Sequence, residues 1–357
     1  MAASPTRGPL LQTRAGDSVL DIEIAGKRRR GVLSAIGRTP LVDIGLRIDD
    51  RWRGVGLKLE SHNPAGSIKD RTAYALLRSL EGMNGLHRGD RVVESTSGNL
   101  GVALAMISRE RGYAFTAVVD PKVDPLVVDR MRGFGAEVVL IDEPDHTGGF
   151  LLSRLDAVRQ MVSAEGMIWP NQYANPANPA IHYHQTAPEI RRQRPGVDAV
   201  FLATSTGGTL AGIGRYFKAV NPRVRIVGVD VPGSRVFGAV QAPRLLNGVG
   251  SSCASQFLRT SDYDDVVIVS DRDAIAACHL VHESVDIGLG GSSGAVVAAC
   301  ARYLTDHPDV HQPVCICADG RSNYLNSIYS DAWLAKFAFN PAADMAALAF
   351  DDVRLQQ

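Results

Sequence analysis

The chain has 357 residues, 45% hydrophobic and 21% charged, which is long enough for two domains and too apolar for disorder. Its 38 Lys and Arg balance 38 Asp and Glu, so no basic excess marks it for nucleic acid. No apolar run is long enough to span a bilayer, and residues 1–16 lack the apolar stretch of a secretory signal. The expectation is a cytoplasmic protein that contacts neither membrane nor nucleic acid.

The pattern along the chain is alternation. Residues 1–30 carry little periodicity, end in the basic run 27–30, and read as an N-terminal extension. Strands are expected at 56–60, 91–94, 115–119 and 137–141, and helices at 69–80, 101–108, 126–134 and 149–162. The second half repeats the theme, with strands at 199–203, 226–229, 266–269 and 314–317 and helices at 210–220, 271–283 and 293–304. The Asn- and Pro-rich stretch 170–179 reads as a crossing between halves. Such alternation predicts an α/β fold: two open twisted α/β domains with mostly parallel sheets covered by helices. The expected divisions are 31–168 (the smaller domain, with a mobile subdomain at about 96–160), 169–345 (the larger) and a tail at 346–357. Five cysteines, Cys253, Cys278, Cys300, Cys315 and Cys317, are odd in number and confined to the C-terminal third, which fits reduced thiols.

Four polar loops carry the chemistry, each read as following a strand and feeding a helix, where open α/β sheets bind ligands. In the first, Pro64 and Gly66 shape a turn, Ser67 is a candidate N-cap, and Lys69 enters the first helical turn. There the positive helix end favours a neutral, nucleophilic amine, although a solvated surface lysine fits the same residues. The second, Ser95-Thr96-Ser97-Gly98-Asn99, offers hydroxyls and N–H groups to a carboxylate, or simply caps a helix. The third, Ser205-Thr206-Gly207-Gly208-Thr209, is a phosphate cradle of backbone donors without the Gly-Lys-Ser/Thr of a Walker loop. In the fourth, Gly290-x-Ser292-x-Gly294 formally matches the nucleophile elbow of α/β-hydrolases. The only histidines downstream, His307 and His311, share one short polar loop that does not supply separated triad partners. No spacing of His, Cys, Asp or Glu makes a metal site, including His182-Tyr183-His184, whose two imidazoles fit a strand better than a helix.

Taken in this order, and with Ile36-Gly37-Arg38-Thr39-Pro40-Leu41 ahead of them, the four loops resemble the fold-type II family of pyridoxal-phosphate enzymes, the cysteine synthase and cystathionine β-synthase superfamily. The resemblance implies a tryptophan synthase β-like fold, a homodimer, and pyridoxal 5′-phosphate in the cleft between two domains. It assigns the Schiff-base lysine to Lys69. Ser95, Thr96, Ser97, Gly98 and Asn99 match the loop that holds the substrate carboxylate, with Asn99 also facing the cofactor's 3-hydroxyl. Ser205, Thr206, Gly207, Gly208 and Thr209 match the phosphate cradle, and Ser292 the hydroxyl opposite the pyridine nitrogen. A serine there leaves the ring a weaker electron sink than an aspartate would, which suits loss of a leaving group from Cβ, with Lys69 as the base at Cα.

Further segments, among them 118–122, 171–175, 182–184 and 329–334, are similar to the branch of this family that joins O-phospho-L-serine to L-glutamate, giving N-(2-amino-2-carboxyethyl)-L-glutamate through an aminoacrylate. In that branch Arg154 and Tyr173 match positions linked to the incoming substrate. The alternative is a cysteine or S-sulfocysteine synthase with a sulfur nucleophile on O-acetylserine or O-phosphoserine, and a catalytically silent scaffold stays open behind both. The segment Asp319-Gly320-Arg321-Ser322-Asn323-Tyr324-Leu325 departs from the family's usual Arg-Tyr-Leu ending, which leaves Arg321 without a role.

Overall fold

Two sheets, both covered on both faces, organise the chain. The computed structural model describes residues 31–48, 51–82, 85–96, 98–146, 148–240, 242–347 and 353–354; the expected extension at 1–30, Ser97 and most of the tail lie outside them. The first strands, β1 (Leu41–Ile48) and β2 (Arg51–Leu59), pair antiparallel, and helix α1 (Lys69–Gly82) follows. Next come β3 (Arg91–Ser95), α2 (Asn99–Arg111), β4 (Ala114–Val119), α3 (Pro125–Gly133), β5 (Glu137–Leu140) and α4 (Leu151–Glu165). Their strands form a three-stranded parallel sheet, β3-β4-β5. The crossing at 170–176 leads to α5 (Ala177–Ile181), a π-helical turn at His182–Thr186 and α6 (Ala187–Gln193).

The chain then alternates through β6 (Ala199–Ala203), α7 (Gly208–Val220), β7 (Arg225–Asp230), β8 (Asp265–Ile268), α8 (Asp271–Val285), α9 (Gly291–Asp306) and β9 (Pro313–Cys317). It ends in α10 (Asp331–Lys336), α11 (Pro341–Ala347) and the short β10 (Val353–Arg354). The second sheet runs β10-β1-β2-β9-β6-β7-β8, parallel from β2 to β8. Strands β1 and β2 come from the segment expected in the smaller domain. They join the large sheet because β2 lies parallel to β9, pairing Leu57 with Cys315 and Leu59 with Cys317.

The two-residue period of a strand explains the two-sided burial. In the large sheet, Phe201, Val227, Val229, Cys315 and Cys317 pack under α8 and α9. Their neighbours Val200, Leu202, Ile226, Val314 and Ile316 pack under α6 and α7, against Ile190, Leu210, Ile213 and Phe217. In the small sheet, Val92, Phe115, Ala117 and Val119 face α1, α2 and α3, while Val93 and Val118 face Val158 of α4. All five cysteines are free thiols, and the Cys315/Cys317 pair lies in the core on β9.

Two expectations differ from the structure. The segment 182–184 is helical, not extended. It continues α5, in which Asn178, Pro179 and Ile181 are buried, and the Pro- and Asn-rich composition that reads as a loop supplies instead a helix start at Pro176. The fourth loop follows helix α8, not a strand, so Ser292 does not stand on the strand-to-helix elbow a hydrolase requires. Among the described residues no helix is long and apolar enough to cross a membrane.

Candidate active site

The site assembles where three loop-to-helix junctions of the two sheets and the start of α9 face one another. The first junction is held by its own polar groups. Asn63 Oδ1 accepts from Gly37 N at 2.8 Å, and Asn63 Nδ2 donates to Glu60. Gly66 takes a left-handed φ of 87°, Asp70 closes the turn by accepting from Ala65 N, and Ser67 Oγ accepts from Lys69 N at 3.2 Å, as expected of a cap. Lys69 thus begins α1 facing a cavity. Burial pushes its amine down to about 8, against the opposing pull of Asp319. Desolvation, more than the helix end, makes this lysine easy to deprotonate.

The second junction carries buried Ser95 and Thr96; Thr96 Oγ1 accepts from Gly101 N at 3.0 Å, and α2 starts at Asn99. The third has Gly207 at φ 84°, where a side chain would run into Ser255 Oγ; a Cβ on Gly208 would run into Asn178 Oδ1. Ser255 Oγ in turn donates to Thr206 O at 2.6 Å, so the backbone of this turn is braced from outside. The helix α7 begins here, and Gly207, Thr209 and Leu210 of its start line the same cavity. Ser292, 1% exposed, lies in the first turn of α9 and lines an inner pocket of about 50 Å³ with Lys69, Asn99, Thr206 and Thr209.

A larger cavity of about 630 Å³ shares Lys69, Asn99, Ser205 and Thr206 with that pocket and extends to Thr96, Arg154, Gln172 and Tyr173. A further cavity of about 450 Å³ shares Arg154, Tyr173 and Ser205 and reaches Asp120, Lys122 and Arg244. Arg154 is 7% exposed, and its Nη1 has no hydrogen-bond partner among the described residues. Burial pushes the Tyr173 hydroxyl up to about 12, so it is a neutral donor at ordinary pH. Apart from Ser95 and Gly208, every expected site residue within the described set lines this cleft. Ser97 alone lies outside the described residues, and Ser95 sits behind the cavity wall, its carbonyl accepting from Gln172 Nε2 at 2.8 Å.

Sequence reasoning missed Asp319 and Asn323. Asp319 accepts from Asn99 Nδ2 at 2.7 Å, and Asn323 Nδ2 donates to Asn99 Oδ1 at 2.7 Å. Their signal lay in the departure from the family ending, which pointed to Arg321. Arg321 in fact turns toward α8, contacting His282 and the face of Tyr329. Among the described residues no group of three or more His, Cys, Asp or Glu is placed to hold a metal.

A buried lysine whose amine is pushed down to about 8, a glycine cradle that admits no Cβ, a helix start and a hydroxyl at a second helix start match the needs of a phosphorylated pyridine aldehyde. The family model described as "Pyridoxal-phosphate dependent enzyme" matches residues 32–319. The chain belongs to that family, and it is an enzyme that uses pyridoxal 5′-phosphate. It is 41% identical over 323 residues to an N-(2-amino-2-carboxyethyl)-L-glutamate synthase of Ralstonia nicotianae, covering 90% of this chain and 95% of the relative. It is 42% identical over 325 residues to the synthase of the same name from Cupriavidus metallidurans, covering 89% and 95%. Among solved structures it resembles O-ureido-L-serine synthase, with TM-score 0.78 and 30% identity over 87% of this chain and 100% of the other. A hydrogen sulfide-producing enzyme from Fusobacterium nucleatum superposes with TM-score 0.77 and 28% identity over 84% and 100%.

Proposed function

We propose that the chain is a β-replacement synthase that joins O-phospho-L-serine to L-glutamate, releasing phosphate and N-(2-amino-2-carboxyethyl)-L-glutamate, and that it works as a cytoplasmic homodimer. The observation that carries this reading is Arg154, a buried guanidinium with an unengaged Nη1, beside Tyr173 in a cleft that also holds Lys69. A sulfide nucleophile needs neither residue, whereas a dicarboxylate acceptor needs a buried cation and a neutral donor. The 41–42% identity to two synthases of that name supports the same reading.

In this reading Lys69 carries the cofactor, which when bound withdraws electrons from the donor's Cα and eases departure of the phosphate from Cβ. Once released, the Lys69 amine takes the Cα proton; its affinity for that proton, lowered by burial, suits a base that must be regenerated each turnover. The Ser95–Asn99 turn holds the donor carboxylate. The Thr206–Thr209 turn and the first N–H groups of α7 hold the cofactor phosphate, and Ser292 meets the ring nitrogen. The C–O bond to phosphate breaks, the neutral glutamate amine bonds to Cβ and gives up a proton, and Lys69 returns a proton to Cα.

The test is mass spectrometry of the products formed from O-phosphoserine when glutamate, sulfide and thiosulfate are offered together. The glutamate adduct with release of inorganic phosphate is expected. Cysteine or S-sulfocysteine as the product, with glutamate ignored, would overturn the assignment in favour of a sulfur-using synthase.

A further inference from the structure

Among the described residues, the cavity of about 450 Å³ beside Tyr173 is lined by three cations, Lys122, Arg154 and Arg244, and by one carboxylate, Asp120. Asp120 holds two of the cations in place. Its Oδ2 lies 3.3 Å from Arg154 Nε, and its Oδ1 accepts from the backbone N of Lys122 at 2.9 Å. Arg244 is engaged by its own surroundings: Nη1 donates to Gly233 O at 2.6 Å and Nη2 to Ser252 Oγ at 3.2 Å. Lys122 differs. Its ammonium lies over the Phe150 ring at 5.8 Å and pairs with no carboxylate among the described residues.

We propose that Lys122 receives the side-chain carboxylate of the acceptor amino acid while Arg154 takes its α-carboxylate, so that the cavity selects a dicarboxylic amine. The inference rests on the reading of glutamate as the acceptor. Covalent geometry decides which cation meets which group. The attacking nitrogen must reach the reacting carbon beside Lys69, and the α-carboxylate hangs from the same carbon as that nitrogen. It therefore stays deep, where Arg154 is 7% exposed and shares the larger cavity with Lys69 and Tyr173. The γ-carboxylate of glutamate sits at the far end of a flexible aliphatic chain. It reaches outward, to where Lys122 is exposed and lines both cavities.

Charge agrees with this placement. Asp120 already offsets Arg154, so a second carboxylate entering beside that pair needs a further cation, and Lys122 supplies it. An acceptor without the outer carboxylate leaves an exposed ammonium in water, which costs little. Discrimination therefore comes from the attraction gained by the right acceptor, not from a penalty on the wrong one. A contact in this solvated place contributes less than one to buried Arg154.

The test is steady-state kinetics of the holoenzyme with O-phosphoserine and either glutamate or glutamine, which differ only in the outer group. In Lys122→Gln, kcat/KM for glutamate should fall about tenfold while that for glutamine holds, so the preference for glutamate shrinks by the same factor. Where glutamine turns over too slowly to follow, its inhibition of the glutamate reaction gives the same comparison. Arg154→Ala should weaken both acceptors alike, because both carry the α-carboxylate. An unmoved preference in Lys122→Gln overturns the proposal, as does an equal loss with both acceptors. Slower phosphate release from O-phosphoserine without any acceptor also overturns it, because Lys122 would then serve the donor. A wild type that ignores glutamate and glutamine and consumes sulfide removes the glutamate reading itself, which separates the two failures.

Discussion

Arg154 on α4 is paired with Asp120 at the end of β4, Nε to Oδ2 at 3.3 Å, and not with Asp156 two residues further along its own helix. Asp156 is taken by Arg159. The pairing crosses from helix to strand end and turns the guanidinium inward, into the cleft. The ion pair sets the Nε edge of Arg154 beside Asp120, and Nε and Nη1 both lack a hydrogen-bond partner among the described residues, which leaves them for an anion.

Arg154→Ala should therefore weaken the reaction with glutamate without disturbing the cofactor. A charge-assisted contact to a carboxylate contributes about 1.5–3 kcal/mol, or roughly 10- to 150-fold in rate. Steady-state kinetics against glutamate, beside the visible spectrum of the holoenzyme, separates the two effects. Unchanged kinetics would remove Arg154 from the acceptor site.

The phosphate cradle makes a second expectation. Gly207 sits at φ 84°, and its missing side chain leaves room for Ser255 against the turn. Gly207→Ala must adopt a left-handed backbone at about 1–2 kcal/mol and also displace Ser255. Cofactor affinity, measured by titrating the apoenzyme with pyridoxal 5′-phosphate, should fall roughly 5- to 30-fold or more. Wild-type affinity would show that the turn does not bear on the phosphate.

How far the sequence disclosed the site follows from the range of the contacts. Lys69, Ser205 to Thr209 and the start of α2 were legible because each turn is local: a glycine with positive φ, a small hydroxyl and a helix start fall within a few residues. Asp319 was not, because its meaning comes from Asn99, 220 residues away. The pairing of Arg154 with Asp120 was obscured for the same reason, since the nearest acid in sequence was the wrong one. Strand β1 was missed because exposed Asp43 and half-buried Arg47 break the apolar pattern, and the helical run from Ala177 to Gln193 because Pro and Asn inside it read as loop. Thr39 and Arg71, which flank the first loop, belong to a buried network.

In that network Arg71, fully buried, donates to both Glu60 and Glu189 at 2.8–2.9 Å. Lys58 reaches Glu189 at 3.0 Å, and Thr39 Oγ1 donates to Glu60 at 2.7 Å. Two cations and two carboxylates thus tie β2, α1 and α6 together. Burial drives the Glu189 carboxyl upward, but Arg71 and then Lys58 outweigh it and hold the group down to about 2, against 4.5 when unfolded. A depressed carboxyl contributes stability that is complete above 4.5 and is lost as pH falls toward 2. Glu189→Gln keeps the shape, forgoes that contribution and leaves Arg71 and Lys58 short of an anion; breaking a buried pair in this way costs about 3–5 kcal/mol at neutral pH. Chemical denaturation of wild type and variant from neutral pH down to pH about 3 should then show a stability gap that is widest above 4.5 and narrows below it. A gap that stays constant across that range would mean that Glu189 enters the fold already protonated and that Arg71 is balanced by Glu60 alone.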